Sequence, residues 1–556
     1  MERIWLKQYP AGVPADIDPS QYPSLVALLE ESFAKFRDRK AFICMDKSIS
    51  YRELDELSLA LGAYLQSRGL AKGARVAIMM PNVLQHPVAT SAVLRAGFAV
   101  VNVNPLYTPR ELEHQLKDSG AEAIIVLENF ASVVQQVIGK TAVKHVIVGS
   151  MGDLLGLKGM IVNLVVRRVK KMVPAWSLPG SVTFNEALSA GRSMTMNKPA
   201  IGPDDVAFLQ YTGGTTGIAK AAMLTHRNIM ANVEQSRVWF GVSAEDGRAR
   251  VMVTALPLYH IFALTCCFFF YMKVGGCCLL IANPRDADGF IKTLKGTRFT
   301  HFSGVNTLFN LLINHQKIGE VDFSNLDFVI AGGMAVQAAV AEKWKAITGR
   351  AIVEGYGLSE TSPVVCVNPP DIAEWSGTIG YPLPSTDVSI RALDGCVVGE
   401  GEAGELCVSG PQVMAGYWKR PDETALATTP DGYFRTGDVA VLQADGQIRI
   451  VDRMKDMILV SGFNVYPNEI EDVLASHPGV LECAVVGAVH EETGEMVVAH
   501  VVRKDDAMTT DALRSYAREQ LTGYKVPRRV VFHDALPKTN VGKVLRRALR
   551  DDPPAP

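Results

Sequence analysis

Tyr211-Thr212-Gly213-Gly214-Thr215-Thr216-Gly217-Ile218-Ala219-Lys220 is the stretch on which the reading of this chain turns. The run before it, Val206-Ala207-Phe208-Leu209-Gln210, is short and largely apolar and reads as a strand. Glycines at this density let the backbone turn sharply and present several N–H groups to one side. The threonine hydroxyls add donors and oxygen ligands, and Lys220 adds a cation. A polyphosphate is the target such a loop suits. A solvent-exposed glycine and threonine turn would carry the same letters, so the loop needs support from the rest of the chain. It is not a Walker A sequence, because no Lys-Ser/Thr pair follows a glycine at the required spacing; the nearest candidate, Gly139-Lys140-Thr141, has Val134 where the first glycine belongs.

At 556 residues the chain exceeds what one core supports, and two or three domains are expected. An apolar fraction of 48% is that of a globular protein. A net charge of −2 argues against nucleic-acid binding by bulk charge. The nine cysteines contain no CxxC pair, so they read as reduced, mostly buried thiols of a cytoplasmic protein. The N-terminus lacks the apolar core of a signal peptide. The most apolar region, residues 251–282, is interrupted by Pro257, His260, Lys273 and Gly275-Gly276. It falls short of the roughly 20 residues of a membrane span and reads as two buried segments joined by a turn.

Ser50 followed by Glu53 marks a helix start. Short apolar runs at residues 75–80, 98–103, 123–127 and 145–148 alternate with helical stretches, which means an α/β architecture with buried, mostly parallel sheets. Residues 390–452 look β-rich, with Asp-Gly turns at 394, 431 and 445. A burst of charge at residues 452–456 sets the expected boundary: a large N-terminal domain over 1–452, with a β-rich subdomain, and a small α/β C-terminal domain over 453–556. Residues 524–550 carry eight Lys/Arg and one acid, a solvated face or a face for a phosphate-bearing ligand.

Residues 156–174 contain no acid. On a helix, Arg167, Arg168, Lys170 and Lys171 share one arc, with Ile161, Val162, Val165, Val169, Met172 and Val173 mainly on the other. That pattern suits a helix lying on an anionic membrane surface, and equally an ordinary surface helix packed on its domain.

Two further strand-and-glycine turns follow the loop. Val329-Ile330-Ala331-Gly332-Gly333-Met334 allows close backbone approach to a ligand. Ile352-Val353-Glu354-Gly355-Tyr356-Gly357-Leu358-Ser359-Glu360 offers an aromatic ring that can stack on a base and a carboxylate that can hold a hard cation. Taken singly, these are a turn tyrosine and a solvated glutamate.

Together with Tyr433–Asp438, Asp452–Asp456 and Lys538–Lys543, in that order, these stretches resemble the adenylate-forming, acyl-activating enzyme superfamily along nearly the whole chain. Residues 103–112, 256–264 and 458–467 narrow the likeness to the bacterial long-chain-fatty-acid–CoA ligases. The resemblance implies activation of a long-chain fatty acid by ATP with Mg²⁺ and release of pyrophosphate. Transfer of the acyl group to coenzyme A and loss of AMP would follow. It implies that Thr212, Gly213, Gly214, Thr215, Thr216, Gly217 and Lys220 wrap the β- and γ-phosphates, and that Glu360 with Thr212 holds the metal. Tyr356 would stack on adenine with Gly333, Glu354, Gly357 and Ser359 around it. Asp438 and Arg453 would take the ribose. Lys543 would bridge the α-phosphate and the attacking carboxylate. The C-terminal domain would rotate about a hinge near Lys455, after which Ser461, Gly462 and Phe463 would face coenzyme A. His260, Leu264, Gly304 and Val305 would line the acyl pocket. A homodimer, and peripheral contact with the inner face of the cell membrane, are compatible with the family.

The loop departs from the family at Ala219-Lys220-Ala221, where Pro-Lys-Gly is common, and Ser359 replaces the usual threonine before Glu360. Two other readings stay open: an aryl, medium-chain or amino-acid substrate, and a lipid-binding protein without catalysis. The chain ends at residue 556 with no carrier domain, which speaks against a peptide-synthetase module. Lys220, Glu360, Asp438 and Lys543 speak against a protein without catalysis.

Overall fold

The computed structural model describes residues 2–550 except 213–218, 462, 491, 506, 540 and 541. Two large sheets dominate the N-terminal body. The first has seven strands in the order Val182–Thr183, His145–Gly149, Ala123–Leu127, Arg75–Met79, Ala99–Asn102, Val206–Thr212, Lys220–Thr225. All neighbours are parallel except the last pair, an antiparallel hairpin whose register sets Thr212 opposite Lys220. Strands this apolar are buried on both faces, as parallel sheets require: Ala123–Leu127 and Ala99–Asn102 are covered throughout.

The second sheet has nine strands, Tyr381–Pro382, Val364–Val367, Val353–Gly357, Phe328–Gly332, His301–Gly304, Val251–Thr254, Cys277–Leu280, Lys40–Cys44 and Lys47–Ser50, parallel in its centre and antiparallel at both ends. Aromatic side chains from the π-helix Ala263–Phe269 join the two sheets. Phe269 lies 5.9 Å from Phe208 of the first, and Phe268 lies 5.3 Å from Phe42 of the second. The apolar region 251–282 is thus strand, helix and strand, all buried in this core. Among the described residues no helix is long and apolar enough to cross a membrane.

Local signals hold where side-chain chemistry dictates them. Ser50 caps the helix Tyr51–Gln66, and Glu53 returns the bond to the Ser50 N–H at 2.7 Å. A four-stranded antiparallel sheet, Asp387–Arg391, Ala403–Ser409, Phe434–Leu442 and Ile448–Arg453, accounts for the β-rich stretch. Gly395, Gly432 and Gly446 all take positive φ in its turns. From Ile458 onward the strands belong to a separate five-stranded sheet, packed with the helices Pro467–Ala475 and Thr510–Gln520 around a core of its own.

The structure corrects the reading of residues 156–174. The helix Leu157–Leu164 passes into a π-helix, Val165–Val169, and ends there. Arg167 leaves the basic arc. It grips the buried Glu128 carboxylate at 3.0 and 2.9 Å and Ser150 Oγ at 2.9 Å. The outward face is apolar: Leu157, Met160, Ile161 and Leu164 are all exposed, Leu157 at 81%.

Candidate active site

Four strands of the two sheets end on a glycine or threonine at the edge where ligands bind in open α/β sheets, at Thr212, Gly304, Gly332 and Gly357. Gly213, Gly214, Thr215, Thr216 and Gly217 lie outside the described residues, but both stems of their loop are placed. Thr212 Oγ1 donates to the Lys220 carbonyl at 3.4 Å. The turn Ser359–Thr361 packs against both stems.

Glu360 on that turn is 8% exposed. Burial raises its pKa, opposed mainly by the hydroxyl of Tyr417, which donates to Oε1 at 2.8 Å. An anion in a low-dielectric setting with few donors suits a cation. Among the described residues no three His, Cys, Asp or Glu side chains cluster as a metal site. That fits Mg²⁺, which takes one or two carboxylates and fills its remaining positions with phosphate and water.

Tyr356 ends in a tight polar cluster. Its hydroxyl donates to Asp438 Oδ2 at 2.5 Å, and Arg453 Nε pairs with Asp438 Oδ1 at 3.1 Å. Asp438 and Arg453 sit opposite each other on neighbouring strands, so the sheet register fixes the pair. Gly357 is required for packing: a Cβ there would lie 1.9 Å from the Pro363 carbonyl oxygen. Glu354 Oε1 accepts the Val336 N–H at 2.9 Å and so braces the turn after Gly333; burial lifts this carboxyl to about 7.

Lys543 reaches the site from the C-terminal unit. A short hairpin presents it, with Thr539 N–H donating to the Lys543 carbonyl at 2.7 Å. The Gly542 carbonyl accepts from Thr307 Oγ1 at 3.2 Å, which docks the hairpin on the N-terminal body. The Lys543 side chain then passes over Gly333, whose φ of +80° holds the backbone clear; a Cβ on Gly333 would lie 3.5 Å from Lys543 Cε. Burial, with Arg453 adding repulsion, pushes the ammonium down to about 8. Among the described residues no carboxylate pairs with it directly. The Lys455 charge, from a residue far away in sequence, adds to the repulsion on Lys543.

The remaining expected residues divide. His260 feels the Lys543 charge, and burial pushes it down to about 3, so it is neutral. Val305 lies beneath Gly542, whose Cβ would meet it at 3.5 Å. Gly304 leaves room for the Phe309 ring, which a Cβ would meet at 2.8 Å. Leu264 is fully buried in the core, so in this conformation it lines no open tunnel. Ser461 and Phe463 are not at the site: Ser461 N–H donates to Thr493 O at 2.8 Å, and Phe463 stacks on Tyr524 at 4.9 Å, both within the C-terminal unit. Gly462 lies outside the described residues. Lys543, unlike Ser461 and Phe463, lies against Gly333.

Sequence reading passed over three contributors. Tyr417 holds Glu360, Thr307 docks Gly542, and Glu423 pairs with Lys220. Gly416-Tyr417-Trp418, an aromatic pair after a glycine, is the only local hint.

The family model for the AMP-binding enzyme matches residues 29–418, which include Thr212, Lys220, Tyr356 and Glu360. The chain belongs to the AMP-binding enzyme family. The AMP-binding enzyme C-terminal domain matches residues 469–543, ending on Lys543. The long-chain-fatty-acid–CoA ligase of Salmonella typhimurium is 54% identical over 554 residues, 99% of this chain and 98% of that one. The long-chain-fatty-acid–CoA ligase of Bacillus subtilis is 36% identical over 555 residues, 99% of this chain and 98% of its own. The ATP-bound crystal structure of MatB from Rhodopseudomonas palustris superposes with a TM-score of 0.81 at 28% identity, covering 95% of this chain and 98% of that one. AMP-binding enzymes thus share the α/β fold seen here, large N-terminal mixed sheets with a small α/β C-terminal unit.

Proposed function

We propose that this enzyme is a long-chain-fatty-acid–CoA ligase: fatty acid, ATP and coenzyme A give acyl-CoA, AMP and pyrophosphate through an acyl-adenylate. The observation that carries the reading is Lys543, brought across from the C-terminal unit to lie over Gly333 beside Asp438 and Arg453. A carboxylate is a poor electrophile, and joining it to AMP turns its oxygen into a leaving group. Two anions must therefore meet, and the protein's work is to position them and to balance charge at the α-phosphate. Lys543 is the cation placed for that. Tyr356 stacks on adenine, Asp438 with Arg453 takes the ribose hydroxyls, and Gly333, Glu354, Gly357 and Ser359 shape the nucleotide cradle. Residues 212–217 and Lys220 hold the β- and γ-phosphates. Glu360 and Thr212 would hold Mg²⁺, which when bound neutralises phosphate charge. His260, Gly304 and Val305 border the acyl chain. The enzyme needs no nucleophile of its own, which matches the burial of seven of the nine cysteines.

For the second half-reaction, residues 453–556 form a mobile domain that turns about Lys455 relative to 1–452. That motion withdraws Lys543 and brings Ser461, Gly462 and Phe463 to coenzyme A. ATP–pyrophosphate exchange across a panel of acids tests the reading. Long-chain fatty acids should support exchange and CoA-dependent AMP release; exchange restricted to aryl, medium-chain or amino acids removes it.

The partner we assign to the exposed helix is an anionic lipid surface. Leu157, Met160, Ile161 and Leu164 recur at helical spacing on its open face. Arg168, Lys170 and Lys171 are exposed beside them and, among the described residues, pair with no acid. The helix follows the strand His145–Gly149 at the edge where Val206–Thr212 enters the phosphate loop, four strand spacings or about 19 Å away. A membrane under this helix lies on the rim of the site that takes a lipid substrate. With about 1 kcal/mol per cation at an anionic surface, replacing Arg168, Lys170 and Lys171 by Gln should weaken sedimentation with phosphatidylglycerol vesicles about 100-fold. A helix face covered instead by a second copy would show a stable dimer and no vesicle binding.

A further inference from the structure

Lys220 follows the glycine-rich loop, and its ammonium is held by a carboxylate. Its ammonium pairs with Glu423 Oε2 at 2.5 Å and lies 4.6 Å from the centre of the Tyr417 ring. Glu423 stands on the short helix Pro421–Leu426. The segment before it straps the loop stem: Trp418 N–H donates to the Ala221 carbonyl at 2.8 Å, and Met223 N–H to the Gly416 carbonyl at 2.9 Å. The same segment reaches the metal-site turn, where Met414 N–H donates to the Glu360 carbonyl at 2.7 Å and Tyr417 holds the carboxylate.

A second cation waits for Glu423. Arg420 Nε stands 3.6 Å from its Oε1 and is itself anchored to the Asp118 carboxylate at 2.9 Å. Asp118 also accepts the hydroxyl of Tyr211, at the entrance of the loop, at 2.7 Å. Both stems therefore connect through ion pairs to Glu423, one through Lys220 and the other through Tyr211, Asp118 and Arg420.

We propose that Glu423 is a positioning residue, a latch that competes with the triphosphate for Lys220. With no nucleotide bound, Glu423 neutralises the lysine and holds it against Tyr417. ATP brings a stronger, multiply charged acceptor; Lys220 swings to the phosphates, and Glu423 remains with Arg420. When pyrophosphate is the bound product, the carboxylate draws Lys220 back and favours release. This rests on the adenylating reading of the site, but it is tested on nucleotide binding alone.

Glu423→Gln keeps shape and removes charge. The equilibrium dissociation constants of MgATP and of Mg-pyrophosphate, measured without fatty acid, should both fall about 2- to 5-fold, the scale of a half-exposed ion pair. In turnover, KM for ATP should fall with them, KM for fatty acid should not move, and Glu423→Asp should return the constants toward the parent. The helix is exposed, and Glu423→Ala provides a second variant with good helix propensity and the same expected direction. Unchanged or weakened nucleotide binding in both variants overturns the latch. Tight MgATP binding by a parent enzyme that adenylates no acid would instead overturn the ligase reading and leave the latch standing.

Discussion

Lys220 and Lys543 are the two lysines that the proposed function assigns to the nucleotide, and the structure holds them in opposite ways. Lys220 stands on the rigid stem of a hairpin and is satisfied by a carboxylate and a ring. Lys543 stands on a turn of the C-terminal unit closed by the Lys538–Val544 bridge, has no direct carboxylate partner among the described residues, and has its ammonium pushed down to about 8. A cation for holding a leaving group can rest in a pair and exchange partners. A cation for the reacting centre gains most when nothing but the transition state neutralises it, because only interactions stronger there than in the ground state speed the reaction. The burial that lowers the Lys543 pKa also raises the worth of its charge once two anions arrive.

The contrast breaks most sharply by removing the unpaired lysine. Lys543→Ala should slow acyl-adenylate formation about 100- to 1,000-fold, the usual scale for a preorganised electrostatic group. Transfer of the acyl group from supplied acyl-adenylate to coenzyme A should stay near the parental rate. Pre-steady-state measurement of each half-reaction separates the two, and equal losses in both would place Lys543 outside the reacting centre.

Protonation sharpens the comparison. Lys543 works as a cation, and its folded-state pKa of about 8 lies below the ordinary 10.5. Above pH 8 the free enzyme loses that charge, so kcat/KM for ATP should fall about 5-fold between pH 8 and 9 and approach tenfold per unit beyond that. Bound phosphates favour the ammonium, so the kcat limb should sit at higher pH. Lys543→Arg should abolish the limb, since arginine stays charged. An unchanged limb in that variant would assign it to another group.

The smallest effect tests how Lys543 is delivered. Thr307→Val removes the hydroxyl that donates to the Gly542 carbonyl. Adenylation should weaken about 2- to 10-fold, the worth of one hydrogen bond, while the acyl-transfer half-reaction and the thermal midpoint change little. Transfer slowed as much as adenylation would show that the contact serves the whole fold.

Much of the site was legible because its chemistry is local. Glycines mark positions where backbone must approach or turn, and Gly333 at φ +80° and Gly357 against the Pro363 carbonyl bear this out. Tyr356, Asp438 and Arg453, singled out separately in the sequence, are joined by a hydrogen bond and an ion pair. Tyr417 and Glu423 were invisible because their partners lie 57 and 203 residues away, and nothing in a local pattern marks such a pairing. The basic helix misled for a related reason: period locates an apolar stripe and a charged one, but it does not say which turns inward. Glu128, buried at the end of the strand Ala123–Leu127, claimed Arg167, and the apolar stripe was left outside.

By itself the sequence determined the alternation of buried strands and helices, the capped starts and Asp-Gly turns, and the residue types assembled for a nucleotide. Each follows from side-chain period, backbone freedom or hydrogen-bonding capacity within a few residues. The tertiary structure alone decided that Lys543 lies against Gly333 while Phe463 does not, that Lys220 rests on Glu423, and that Leu157, Met160, Ile161 and Leu164 face out. Those outcomes depend on which surfaces meet across sheets, and contact between distant segments is settled by packing and desolvation of the whole molecule.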